Sequence, residues 1–312
     1  MAGEAPSQPV LRHPPIALDR ANPAAALRTL EVDWTYRPSR RTARVRTSRL
    51  VRRIIQRRGP PLYRALVPVT PAGRWIAYFL FMPDGRVSDA HRYTLARLRS
   101  ELGVKLLLIA AAPAPGPEFD ELGLYADALY WKALSGFDFS AFAIAIHAVA
   151  AHSPGAELIL LNDSVFGPFT SLTTFFGALP WDLAAITANA EVENHTQSYC
   201  WRVREVSTAL VAGLRRVLSP DWAYDRFADV VLLQETRLAR HAAACGTVGA
   251  KWFSRSGVSS VELTTSAPIE LVEMGAPVLK RSLFGKFGHL HPRQSLLQIL
   301  RRFDHPLPRS AA

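Results

Sequence analysis

Cysteine is nearly absent: two residues in 312, Cys200 and Cys245. That excludes a secreted disulfide framework and a four-cysteine zinc site, and leads us to expect two buried free thiols in a reducing compartment. Long apolar runs are missing too. The longest, Trp75–Met82 and Leu106–Ala112, are of strand length, well short of the ~18 residues of a membrane-spanning helix. The opening MAGEAPSQPV lacks the charged-then-apolar order of a signal peptide. No GxGxxG and no GxxxxGK[ST] occurs, which argues against dinucleotide-binding and P-loop folds. Disorder is excluded as well, because apolar residues make up 49% and charged residues 20%.

Charge is present in excess but unevenly placed. The formal net charge is +11. Residues 1–64 carry fourteen Arg against four acids, and residues 280–312 carry seven basic groups against one acid. The stretch between them, 65–279, is net −5. This predicts a basic Pro/Arg-rich extension over 1–64, a folded domain over 65–284 and a basic tail over 285–312. Residues 1–36 show no periodicity and are expected to be loosely attached.

Arg37 to Arg64 holds eleven Arg and no acid. Within it, SRLVRRIIQRR places Leu50, Val51, Ile54 and Ile55 on one face of a helix, stopped by Gly59-Pro60-Pro61. Such a cationic amphipathic helix suits an anionic membrane surface, at roughly 1 kcal/mol per Arg. A plain solvated face is the competing reading. Nucleic acid is disfavoured, since only Trp34, Tyr36 and Tyr63 accompany the arginines. The late stretch LKRSLFGKFGHLHPRQSLLQILRRF repeats the theme. Together the two ends suggest a peripheral, cytoplasmic protein at the inner face of the plasma membrane.

The acidic middle alternates strand and helix patterns. RWIAYFLF (74–81), VKLLLIA (104–110), ALYWK (128–132) and ELILLN (157–162) read as buried strands. Helical spacing runs through SDAHRYTLARLRSELG after the first, and GFDFSAFAIAIHAVAAH after the third. This order predicts an α/β fold with a mostly parallel central sheet and helices on both faces. Ligands in such sheets sit beyond the carboxyl ends of the strands, a rim that would hold Asp84, Gly136, Asp138, Asn162, Asp163 and Ser164.

Five segments then stand out in order: Gly136–Phe139 (GFDF); Asn162–Pro168 (NDSVFGP); Asp182–Thr187 leading into His195–Tyr199 (HTQSY); Glu235; and Pro277–Lys280 (PVLK). The series resembles the rhamnan synthesis protein F family of bacterial polysaccharide glycosyltransferases, over roughly residues 74–284. Departures are Lys132 and Leu134, where the family has Arg and Asn, and Ala185 in place of a Gly. The resemblance implies a GT-A-like nucleotide-diphospho-sugar transferase fold. It also implies inverting transfer of a sugar, L-rhamnose from dTDP-rhamnose, to a lipid-linked or polysaccharide acceptor. A non-catalytic adaptor with the same fold is the alternative.

The chemistry of that reaction assigns candidates. Sugar transfer needs a base for the acceptor hydroxyl, a counter-charge for the diphosphate and a water-excluding pocket. Glu235 is the candidate base, or else it complements a helix dipole. Asp163, the second catalytic candidate, would hold Mg²⁺ or Mn²⁺ or touch the ribose, flanked by Asn162 and Ser164. Asp138 either caps a helix or contacts the nucleotide. Gly136, Lys132, His195, Gln197, Ser198 and Lys280 complete the expected donor-binding set.

Overall fold

The structure, a computed structural model, describes residues 23–39, 42–255 and 262–308. Its strands are β1 Leu30–Thr35, β2 Tyr63–Val67, β3 Arg74–Phe81, β4 Lys105–Ala111, β5 Ala128–Lys132, β6 Glu157–Asn162, β7 Val165–Phe166, β8 Leu183–Asn189, β9 His195–Thr196, β10 Cys200–Val203, β11 Val248–Ser254 and β12 Leu279–Lys280. Ten of them form one sheet in the order β1-β11-β8-β10-β6-β3-β4-β5-β2, with β9 beside β8. The run β6-β3-β4-β5 is parallel, as the continuous apolar segments predict. The short β10 enters antiparallel between β6 and β8, and β8 pairs β11 in parallel.

Strand alternation divides the interior into two cores. Trp75, Ala77 and Phe79 of β3 face one side of the sheet and pack with Phe139, Phe142, Ile146 and Val149 of the helix Phe137–His152. Ile76, Tyr78 and Leu80 face the other, with Leu95 and Leu98 of the helix Asp89–Arg99. Successive side chains of a strand point to opposite faces, so a continuous apolar run is what a sheet covered on both sides requires. The α/β architecture with helices on both faces is present as expected.

The ends of the chain differ from expectation. Part of the 1–36 reading falls on residues 1–22, outside the described residues. The rest is ordered: β1 pairs β11 along Leu30 to Thr35, and Trp34 stacks on Phe253 at 4.5 Å. Strand β2 closes the opposite edge against β5. Residues 30–67 thus supply both edge strands and are not an appended extension. The basic C-terminal stretch also folds back. Leu279, Leu283, Leu296 and Leu300 are buried with Phe166 and Phe169 in a third cluster, so they are not available to a lipid surface. Cys200 is buried and Cys245 exposed, both free, which corrects the expectation of two buried thiols. Among the described residues no helix is long and apolar enough to cross a membrane.

If the C-terminal helix Arg293–Arg302 is part of the core, Leu300→Ala leaves a cavity under it. We expect a loss of roughly 2–5 kcal/mol, measured by urea unfolding; a change below about 0.5 kcal/mol, the range of surface substitutions, would contradict the packing.

Candidate functional site

The cleft lies beyond the carboxyl ends of β3 and β6, with a volume of about 390 Å³. Phe79, Phe81, Leu134, Phe137, Phe227, Val230 and Val231 form apolar walls; Asp138, Asn162, Asp163, Ser164, Ser198, Tyr199, Glu235, Glu262 and Lys280 add polar groups. Seven of the eleven site residues expected from the sequence therefore converge here, drawn from all five segments.

Asn162 organises the floor. Its Nδ2 donates to Asp138 Oδ2 at 2.7 Å, and its Oδ1 accepts from the Ser164 amide at 3.1 Å and hydroxyl at 2.6 Å. Its own amide donates to the Tyr199 carbonyl at 3.0 Å. Asp138 is half-buried just inside the helix Phe137–His152 and accepts from the Phe139 amide. Burial first, and the charge of Glu235 second, push its carboxyl up to about 6; the hydrogen bond from Asn162 opposes them.

Asp163 turns back to the sheet. Its Oδ2 accepts from the Phe81 amide at 3.0 Å and lies 3.3 Å from His91 Nε2. His91 Nδ1 in turn accepts from the Ser88 amide in the capping box of Asp89–Arg99. Asp163 thus ties the ends of β3 and β6 together. Mg²⁺ keeps several waters and takes one or two carboxylates beside substrate phosphates; no group of three or more His, Cys, Asp or Glu placed to hold a metal ion exists among the described residues. With Oδ2 engaged by Phe81 and His91, Asp163 has Oδ1 as the single carboxylate oxygen it could offer the expected Mg²⁺ or Mn²⁺.

Positive charge comes from the far end of the chain. After β6 the chain turns into β7, which pairs antiparallel with β12, setting Lys280 opposite Val165; the next amide, of Arg281, donates to the Ser164 carbonyl. This pairing joins the NDSVFGP and PVLK segments. The Lys280 ammonium sits 4.4 Å from the Tyr199 ring centroid and lines the cleft. Tyr199 is itself fixed by Thr187, which also donates to Gln197.

Glu235 is held through one oxygen. Oε1 accepts from both the amide (2.9 Å) and the hydroxyl (3.0 Å) of Ser198, and Oε2 has no hydrogen-bond partner among the described residues. Glu235 does not open a helix. It ends a π-helical stretch, Val231–Glu235, within a helical run from Phe227 to Ala242, so dipole complementation does not explain it. Such π-turns frequently occur at functional sites. The run is braced from outside by Arg49, which donates to the Leu232 carbonyl (3.0 Å) and the Thr236 hydroxyl (2.7 Å) and pairs with buried Glu193.

Five expected rim or donor-site residues lie elsewhere. Lys132 is fully buried, donating to the carbonyls of Ala133 (2.9 Å) and Ser135 (2.5 Å), and burial pulls its ammonium down to about 8. It shapes the loop before the cleft. Gly136 has φ 83°, and a Cβ there would lie 2.8 Å from Ser140 Oγ, so its role is the turn. His195 bonds the Glu193 carbonyl, and Gln197 is locked to Thr187; both are buried behind the site. Asp84 is exposed and accepts from the Arg86 amide in the turn after β3. Sequence reasoning missed Glu262 and the apolar walls. A lone Glu before a short helix gives no signal, whereas Leu134 had been noted only as a departure from a motif.

No family model matches the chain, and no curated protein matches its sequence. Two solved structures are similar to this chain at low identity. One is a provisionally assigned nucleotide-diphospho-sugar transferase from Desulfovibrio desulfuricans G20, at 14% identity and a TM-score of 0.36, covering 74% of this chain and 96% of that one. The other is residues 1–349 of TarS from S. aureus in complex with UDP-GlcNAc, at 9% identity and a TM-score of 0.34, covering 64% of each chain.

The raised Asp138 carboxyl fixes a pH signature. Its folded value lies above the ordinary one, so its ionisation opposes folding; stability is fullest below pH 4 for this group and falls as pH rises through 6. Asp138→Asn should therefore stabilise the protein at pH 7–8 by roughly 1–3 kcal/mol, with the gain vanishing near pH 4. Equal stability of both proteins across pH 4–8 in urea titrations would show that Asp138 is not desolvated.

Proposed function

We propose that this protein is a GT-A-like glycosyltransferase that takes its sugar from a nucleotide-diphosphate donor. The observation that carries the reading is the pairing of a carboxylate base and an ammonium in one apolar-walled cleft at the carboxyl ends of parallel strands. Glu235 is oriented by Ser198 and left with one oxygen for a proton. Lys280 supplies positive charge in the same cleft.

The chemistry follows from those groups. An acceptor hydroxyl beside Glu235 gives its proton to the free carboxylate oxygen as its own oxygen bonds to the anomeric carbon. The bond from that carbon to the diphosphate breaks, its electron pair leaves with the phosphate, and the ammonium of Lys280 stabilises the charge that develops. Backside attack inverts the anomeric centre. Phe79, Phe81, Phe137 and Phe227 offer faces for the nucleobase and keep water from the oxocarbenium-like centre. Asp138 and Ser164, both bonded to Asn162, are placed to meet donor hydroxyls.

The ordered motifs support the finer assignment: L-rhamnose carried on dTDP, an acceptor that is lipid-linked or a polysaccharide, and a peripheral position at the inner face of the plasma membrane. A panel of nucleotide-sugars with product analysis tests it. Glu235→Gln should lower kcat by about 10²–10⁴-fold with donor affinity unchanged. Lys280→Ala should weaken nucleoside diphosphate binding by about tenfold or more, as loss of a charge-assisted contact does, and leave the free nucleoside unaffected. Full-rate transfer by Glu235→Gln would remove the base assignment. Donor binding without transfer to any acceptor would favour the adaptor.

A further inference from the structure

The helix Ala43–Ile55 is mounted the reverse of what an amphipathic surface helix normally shows. Helices of globular proteins turn their apolar stripe to the core. Here the inward face is charged. Arg49 is buried, paired with Glu193 and bonded to the Leu232 carbonyl and Thr236 hydroxyl, and Arg52 donates to buried Asp229 at 2.6 Å. The outward face carries the apolar residues: Leu50 is 62% exposed, Val51 47%, Ile54 74% and Ile55 58%. Burying Arg49 is costly unless it is paired, and it is; Arg52, whose side chain is 41% exposed, covers the buried carboxylate of Asp229. The exposure of the four aliphatic side chains is thus fixed by ion pairs on the opposite side of the helix.

We propose that this face is an interfacial anchor, lying with Leu50, Val51, Ile54 and Ile55 in the headgroup–acyl boundary of an anionic lipid surface. Charge complementarity selects that occupant. Residues 37–64 contain no acid; Arg44, Arg46 and Arg53 are exposed on the same helix, and Arg57, Arg58 and Arg64 are exposed in the segment that follows it. The two acids that meet the helix, Glu193 and Asp229, are buried beneath it and consumed by Arg49 and Arg52. A segment that exposes aliphatic side chains together with arginines matches acyl chains beneath phosphate headgroups.

The anchor is joined to the cleft. Arg49 and Arg52 hold the same helical run that carries Phe227, Val230, Val231 and Glu235, and half-exposed Phe137 and largely exposed Phe227 mark the cleft wall, 6.4 Å apart between ring centroids. Lipid docking would set the wall bearing the base near the surface from which a lipid-linked acceptor comes. This consequence rests on the transferase reading; the anchor itself does not.

Flotation of the full chain with vesicles tests the proposal, using phosphatidylcholine alone and phosphatidylcholine mixed with phosphatidylglycerol. The wild type should float with the mixed vesicles only. L50E/I54E should lose that binding, down to the level seen with neutral vesicles, while its nucleoside diphosphate affinity and unfolding midpoint stay unchanged. Ile54→Trp should show a blue-shifted emission, quenched by brominated lipid, on the same vesicles. Undiminished flotation of L50E/I54E would overturn the anchor, as would a lipid-free dimer of the wild type that L50E/I54E makes monomeric, because a second copy would then cover the face. A wild type that floats but transfers no sugar upholds the anchor and defeats the transferase reading.

Discussion

Asn162, through its side chain and its backbone amide, is the constraint on which the cleft depends. It ends the parallel strand β6, and its three polar groups each hold a different part of the fold: the helix carrying Asp138, the turn through Ser164, and, by its amide, the chain at Tyr199. The turn fixed by Ser164 leads to β7, whose pairing with β12 brings in Lys280. The chain at Tyr199 begins with Ser198, which holds Glu235. The side chain and backbone amide of this one residue thus set the relative positions of Asp138, Lys280 and Glu235. Its buried donors and acceptors are all paired, and breaking any of these bonds would leave a buried polar group unsatisfied, which is expensive.

The site is built by tying distant segments to the sheet edge. Asp163 binds the amide ending β3, which closes the gap between neighbouring parallel strands. Glu193 pairs with both Arg49 and Arg240, while its carbonyl bonds His195, so the hairpin bearing Ser198 and the helix bearing Glu235 share one buried ionic support. The carboxylate of Glu235 has a fixed direction without being neutralised by a cation of its own. That is the state a proton acceptor requires.

Much of this was legible in the sequence. The bounds of β3, β5 and β6 coincide with the apolar runs at 74–81, 128–132 and 157–162, because strands buried on both faces carry no polar interruption. Asp138, Asn162 and Glu235 were singled out by the ordered segments that carry the family resemblance, since each alone is an ordinary cap or turn residue. Lys132 and His195 misled because a motif position does not reveal whether a side chain points to a ligand or inward, and their partners are backbone carbonyls that no pattern discloses. The arginine-rich segment was read correctly as an amphipathic helix, but not for its orientation. That depends on Glu193 and Asp229, far along the chain and inconspicuous in sequence. The basic C-terminal end was misread for the opposite reason: its leucines found a core with Phe166 and Phe169.

The central claim is that the cleft holds the diphosphate of a nucleotide donor between Lys280 and the Asn162 floor, within reach of Glu235. A crystal structure with a soaked nucleoside diphosphate tests it most directly. We expect the phosphates against the Lys280 ammonium, the base between the phenylalanine walls, and Glu235 facing the open end of the diphosphate. Phosphates bound away from Lys280, or a nucleotide seated outside this cleft, would contradict the account.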